Sequence, residues 1–206
     1  PLIAIDGVEA DDVIGTLAME AEKKNIRTLI ATGDKDMAQL VTDNIHLIDT
    51  MKDKRMGPAE VLEKFGILPE RFIDYLTLAG DTSDNIPGVE KVGPKTAIKW
   101  INQYGSLDGV IQNADLIKGK IGENLIAALD QLDLFKTLVT IKCDVQTDSN
   151  FSDLIIGESN EDLLYEQLSD LGLHGLIKQF DIQSPEKKPD VESNYHTIRT
   201  KNELDE

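Results

Sequence analysis

Three groups of carboxylates stand out by type and spacing: Glu9, Asp11 and Asp12; Asp34 and Asp36; Asp81 and Asp84. Carboxylates that converge repel each other and raise each other's pKa unless cations neutralise them. An all-oxygen ligand set without Cys or His favours hard ions, so magnesium or manganese is the natural partner. Two such ions about 4 Å apart can hydrolyse a phosphodiester, one activating water and the other stabilising the leaving oxygen. The competing reading is that acids at helix N-termini only cap those helices and favour their dipoles. Three clusters at matching positions favour the metal reading.

A second candidate is the loop Gly88-Val-Glu-Lys-Val-Gly93-Pro94-Lys95-Thr96. It looks like a nucleotide-binding glycine loop, but Pro94 intrudes before Lys95 and a polar loop, not a strand, precedes it. ATP is therefore not the expected ligand. The spacing predicts a hairpin between two helices, with Gly88 and Gly93 permitting tight turns and Pro94 opening the second helix. Outward amides around Gly88, Val89, Lys91, Val92 and Gly93, with Lys95 and Thr96 at a helix N-terminus, form a candidate pocket for DNA phosphate. Lys91 and Lys99 extend the positive charge, and such contacts read backbone position, not bases. An ordinary helix–helix loop is the alternative. Trp100 and Tyr104, four residues apart, read as helix-packing residues before base-stacking ones.

The elements that must carry these residues follow from periodicity. Residues 2–5 read as a buried strand, and Val8, Val13, Ile14, Leu17, Ala18 and Ala21 recur at helical spacing over residues 9–24. Residues 27–31 and 45–48 read as further strands with a short helical turn between them. Strand–helix–strand order at this spacing predicts a parallel sheet, with the first two acidic groups at the carboxyl ends of its strands. After Gly57 the pattern becomes helical: residues 59–65, 70–79 and 95–104, with further helix to about residue 139 and an extended stretch over 140–148. Asn160 or Ser159 caps a helix over 161–171. Residues 184–194 are polar with two prolines, a linker signature.

Composition bounds the rest. The 206 residues carry a net charge of −17, and from Asn150 onward 13 acidic residues face 5 basic ones, which is −8 of the total. That balance argues against indiscriminate nucleic-acid binding, but carboxylates that hold ions beside a local basic surface remain compatible with DNA. No apolar run approaches membrane length, so no membrane partner is expected. Cys143 is the single cysteine, which excludes an internal disulfide, fits a reducing cytoplasm and reads as a packing residue. His46, His174 and His196 match no zinc spacing.

Four ordered motifs together resemble the 5′-nuclease family of bacterial DNA polymerase I and the flap endonucleases. They are Gly7-Val-Glu-Ala-Asp-Asp-Val-Ile-Gly15, Thr32-Gly-Asp-Lys-Asp-Met-Ala-Gln-Leu40, Gly80-Asp-Thr-Ser-Asp-Asn-Ile-Pro-Gly88 and Val92-Gly-Pro-Lys-Thr-Ala97. The resemblance implies an α/β fold: a parallel-sheet, PIN-like or Rossmann-like core followed by a helical region with a helix-three-turn-helix DNA grip. It implies that residues 1–56 are the C-terminal part of the catalytic core, 57–149 the helical region with the grip, and 150–182 the helical end. Residues 183–194 would be a linker and 195–206 the start of a 3′-exonuclease-like domain. Glu9, Asp11 and Asp12 would help bind a first divalent ion, and Asp34, Asp36, Asp81 and Asp84 a second. A potassium ion is implied at the grip. The implied substrate is DNA with a 5′ flap, nick or RNA primer end, cleaved in primer removal and repair by a monomer at the bacterial nucleoid, continuous with a polymerase domain. Family members carry an N-terminal stretch ahead of these motifs, with further metal ligands and a threading arch. The expectation is thus a truncated nuclease region that alone binds DNA weakly and cleaves poorly or not at all. A non-catalytic DNA-binding module, and a phosphatase acting on small phosphate esters, are the competing classes.

Overall fold

Val13, Ala18 and Ala21 share one buried face, Asp11 and Asp12 lie in the first turn and Lys23 in the last, and helix α1 runs Ala10–Lys23. These placements satisfy both the apolar period and the helix dipole. The computed structural model describes residues 2–147 and 151–184. It divides into two compact units, Pro1–Leu154 and Ile155–Glu206.

In the first unit, strand β1 (Thr28–Ala31) pairs in parallel with β2 (Ile45–Asp49), Thr28 opposite Ile45 and Ala31 opposite Ile48. A short 3₁₀ turn, Asp36–Leu40, crosses between them. A third strand, β3 (Lys54–Met56), returns antiparallel to β2, with Leu47 opposite Met56. The sheet is therefore mixed, in the order β1-β2-β3. The sequence hides β3 because Lys54 and Arg55 are charged and exposed, and three residues cannot display a two-residue period. Its turn is legible only in hindsight: Asp49 Oδ1 accepts the Met51 and Lys52 amides, and Asp53 adopts φ +48.

The strand expected at residues 2–5 is not one. Exposure does alternate there, with Leu2 and Ala4 exposed and Ile3 and Ile5 half-buried, but the segment has no ladder partner among the described residues. Alternation gives a strand its two faces, whereas hydrogen bonds to a neighbour make it a strand.

The helical part begins with α2 (Pro58–Phe65), where Glu60 accepts the Gly57 amide at 2.8 Å and Gly66 closes the helix at φ +73. A 3₁₀ turn, Pro69–Arg71, then leads into α3 (Phe72–Ala79). After the glycine loop come α4 (Pro94–Tyr104), α5 (Leu107–Gln112), capped by the Ser106 hydroxyl, and α6 (Lys120–Val139). Phe72 is fully buried and stacks edge-on against Phe65 and Tyr75, with ring centroids 4.9 and 5.4 Å apart. Trp100 joins the same core, as its helical spacing suggests. One apolar cluster runs unbroken from Ala18 and Leu47 through Phe72 and Leu76 to Leu132 and Phe135. The sheet and the helices are thus held by shared burial, the dominant favourable term in folding.

Residues 141–147 have no regular secondary structure and lie as a strap over α1. The Lys142 amide donates to Asp12 Oδ1 at 2.8 Å and the Val145 amide to Thr16 Oγ1 at 3.1 Å. Gly15 makes the approach possible, since a Cβ there would stand 2.7 Å from Ile141 Cγ2 and 3.1 Å from Cys143 Sγ. Burial, with Asp12 and Asp144 nearby, pushes the Cys143 thiol up, which suits a packing residue and not a nucleophile.

The second unit contains α7 (Glu161–Asp170), whose N-cap Asn160 accepts the Leu163 amide at 3.0 Å, and α8 (His174–Gln179). The expected linker beyond Ser184 and the segment 195–206 lie outside the described residues. No helix of the described chain is long and apolar enough to cross a membrane.

Candidate metal centre and nucleic-acid grip

Two loops bring acids together. In the first, Thr32 Oγ1 accepts the Asp34 amide at 3.0 Å and Asp34 Oδ1 accepts the Asp36 amide at 2.9 Å. These side-chain turns feed the chain into the 3₁₀ turn that carries Asp36. In the second, the chain leaves α3 at Gly80 and closes on itself: the Asp81 amide donates to Ile86 O at 2.9 Å and the Ile86 amide to Asp81 O at 2.7 Å. The backbone crosses at Gly80 (φ +73) and Gly88 (φ +60). A Cβ on Gly88 would stand 2.3 Å from Gly80 N, and one on Gly80 2.5 Å from Ile86 O. Only glycine fits that clasp, which fixes Asp81 and Asp84 on the loop between.

Carboxylate oxygens of Asp36, Asp81 and Asp84 all come within 4.8 Å of one another. Among the described residues this is the one such group of three. Asp81 is buried, Asp36 half-buried and Asp84 exposed, so the group opens to solvent on one side. Lys35 Nζ donates to Asp81 Oδ2, and the Ser83 amide to Asp81 Oδ1 at 2.7 Å. Burial pushes Asp81 up, but the Lys35 ammonium and the amides of Ser83 and Asp84 outweigh it and hold the carboxyl below its ordinary range. Asp36 differs. Its Oδ1 is buried without a hydrogen-bond partner, with Lys35 Nζ 4.0 Å away. Burial first, then Asp81, Asp34 and Asp84, raise its pKa to about 6 against the pull of Lys35.

The other sequence candidates are placed less tightly. Burial raises Asp11, and Asp34, Glu9, Asp12 and Asp84 add to it, so the first acidic group shares a field with the other two. Glu9 is exposed at the N-cap of α1. Asp12 and Asp34 each have one oxygen committed to a backbone amide. An orphaned buried carboxylate oxygen and an all-oxygen donor set fit a hard divalent cation. Three residues escape sequence reasoning here: Lys35 as the partner of Asp81, Gln39, and Asn124. Their partners lie 34 to 102 positions away, and no local pattern encodes such pairings.

The glycine loop forms the hairpin with two changes: the amides of Val89 and Val92, expected to face outward, donate within the fold, that of Val89 to Leu78 O at 2.9 Å, and the left-handed turn falls on another residue. Val89 and Val92 are its buried anchors, and the Val92 amide donates to Val89 O at 2.9 Å. The left-handed turn residue is Lys91 (φ +64), not Gly93. Gly93 is extended (φ −94, ψ −178) as the N-cap of α4, and a Cβ there would meet nothing within 4 Å. The sequence suggests glycine because turns favour it, but a Cβ at position 91 tolerates the same region at modest cost. Asn124 Nδ2 on α6 donates to Glu90 O at 2.8 Å and pins the hairpin from behind. Lys91, Gly93, Lys95 and Lys99 are exposed and Thr96 half-buried, a solvent-facing basic edge beside a helix N-terminus.

Residues 1–66 match the family described as 5′-3′ exonuclease, N-terminal resolvase-like domain, and residues 67–162 its C-terminal SAM fold. The chain is 36% identical over 181 residues to a 5′-3′ exonuclease of Aquifex aeolicus, covering 88% of this chain and 62% of that protein. It is 39% identical over 207 residues to DNA polymerase I of Caldicellulosiruptor bescii, covering 93% of this chain but only 24% of the polymerase. Among solved structures it resembles a bacteriophage T5 flap endonuclease in a pseudo-enzyme–product complex with DNA and metal ions. That likeness has a TM-score of 0.63 at 25% identity over 68% of this chain and 52% of the other.

Proposed function

The chain belongs to the 5′-3′ exonuclease family, and from that premise we propose that it grips branched DNA and hydrolyses phosphodiesters near 5′ ends using divalent cations. The observation that carries the reading is the convergence of Asp36, Asp81 and Asp84 around an unpartnered buried oxygen. Asp36, Asp81 and Asp84, with Asp34 beside them, would hold one magnesium or manganese ion, and Glu9, Asp11 and Asp12 would help hold another. When bound, such ions supply positive charge to a phosphoryl transition state and lower the pKa of attacking water.

The chain's own residues do the positioning. Gly80 and Gly88 fix the loop that carries Asp81 and Asp84, Lys35 orients Asp81, and the hairpin at 88–96 offers Lys91, Lys95 and a helix N-terminus to the phosphate backbone. A potassium ion at the hairpin, a 5′ flap, nick or RNA primer end as substrate, and a monomer working at the nucleoid complete the proposal. So does continuity with a polymerase domain. The relative from A. aeolicus, named as an exonuclease, and the DNA-bound T5 neighbour support it.

The test is binding and cleavage of a labelled 5′-flap duplex by this chain with magnesium, beside an Asp34→Ala/Asp81→Ala control. Cutting that the control abolishes supports the nuclease reading. Binding without cutting moves the function to a DNA-binding module, and turnover of small phosphate esters that DNA does not inhibit moves it to a phosphatase. At the hairpin, Lys95→Ala should weaken flap binding about three- to tenfold and lower the salt slope by roughly one, independent of sequence. An unchanged slope would remove Lys95 from the grip.

A further inference from the structure

The three acids of the metal centre do not come from one element. Asp36 rises from the sheet-bearing part of the chain, whereas Asp81 and Asp84 sit on a loop of the helical part. Something must hold the Asp36 turn at a fixed distance from that loop. Met37, Ala38 and Leu40 bury its apolar side, but apolar packing sets position less sharply than directed hydrogen bonds do.

Gln39, three residues after Asp36, supplies the direction. Its Nε2 donates to Val139 O at 3.0 Å and its Oε1 accepts the Ile141 amide at 2.9 Å. Both ends of the side-chain amide are thus used across the last residue of α6 and the start of the strap. The same strap takes Asp12 and Thr16 of α1 within the next four residues. Val139 and Ile141 flank the C-terminus of α6, where carbonyls lack intrahelical partners, so the Gln39 amide also satisfies a group the helix leaves open.

We propose that Gln39 is a positioning residue for the metal centre, clamping the Asp36 turn to the end of α6 so that Asp36 stays in register with Asp81 and Asp84. This rests on reading those three acids as cation ligands. Residues that orient ligands without touching the ion commonly change metal affinity by about 10- to 100-fold when lost.

The experiment is manganese binding without DNA, measured from the free-ion electron paramagnetic resonance signal well below the unfolding temperature. Gln39→Met keeps the bulk and removes both hydrogen bonds, and about tenfold weaker binding with unchanged circular dichroism is expected. Asn102→Leu removes a comparable tie, from α4 to Gly66 O at 3.1 Å, and should leave manganese affinity unchanged, which separates positioning from general loosening. If Gln39→Met does not fold, Gln39→Asn serves, since it stays neutral but is one methylene too short to reach Val139 O and the Ile141 amide together. It should weaken manganese binding severalfold. Wild-type affinity in the folded Gln39 variant, or equal loss in Asn102→Leu, overturns the inference. A wild-type chain that binds no manganese overturns the metal-centre reading on which it rests, and is seen before any variant is compared.

Discussion

Gly88→Ala is expected to cost the first unit at least about 3 kcal/mol and to abolish its response to divalent cations. The new Cβ would stand 2.3 Å from Gly80 N and 2.6 Å from Ala79 C, both main-chain atoms that no rotamer change can move. The φ of +60 adds about 1–2 kcal/mol for a residue with a Cβ. Relief requires the two strands of the clasp to part, which breaks the Asp81–Ile86 hydrogen bonds and displaces Asp81 and Asp84 together. A melting temperature lower by roughly 6–12 °C is the readout in a domain of this size. Gly93→Ala is the control. Its φ is −94 and a Cβ there meets nothing, so it should cost less than about 1 kcal/mol, the scale of an N-cap change. Equal losses at the two positions would mean that the clasp does not position the loop.

Asp36→Asn should act in the opposite direction on stability. Without metal, the Asp36 carboxylate is half-buried beside three other acids with one oxygen lacking a hydrogen-bond partner, and its pKa rises to about 6. A group whose folded pKa lies above its unfolded value near 4 stabilises the fold most below pH 4, and loses that contribution as pH climbs through 6. At pH 7 in EDTA the wild type therefore bears the full cost, and the neutral amide removes it. We expect a gain of about 2 kcal/mol, scaled down from two pKa units for the partial exposure of the side chain. Magnesium should reverse the order. It stabilises the wild type by roughly 2.7 kcal/mol at a hundred times its dissociation constant, and Asp36→Asn far less. Thermal melts in EDTA and in magnesium at pH 5, 6 and 7 give both signs. A variant less stable than wild type in EDTA at pH 7 would show that Asp36 is satisfied by the fold and holds no cation.

Much of the chemistry is legible before the fold. The acids and the helix-opening Pro94 announce themselves because each acts through its own backbone or its near neighbours, whereas Gly88 reads only as a hairpin glycine and its clasp with Gly80 appears in the structure alone. What resists reading acts at a distance. Lys35 meets Asp81 across 46 positions, and Gln39 meets Ile141 across 102. Residues 2–5 and β3 fail for a related reason. The first has strand periodicity without a ladder partner among the described residues, and the second has a partner without periodicity. Gly93 misleads because residue type and backbone need are separable: Lys91 takes the left-handed turn and Gly93 stays extended.

Lys35 and a bound cation compete for Asp81. The lysine ammonium occupies the position of a counter-ion on Asp81, so an arriving cation must share or displace it. The direct measurement is anomalous scattering from crystals of this chain grown with manganese. A peak is expected about 2 Å from oxygens of Asp36, Asp81 and Asp84, with Lys35 drawn away from Asp81. Manganese bound elsewhere in the same crystals, with Lys35 still paired to Asp81 and no peak among the three acids, would contradict it.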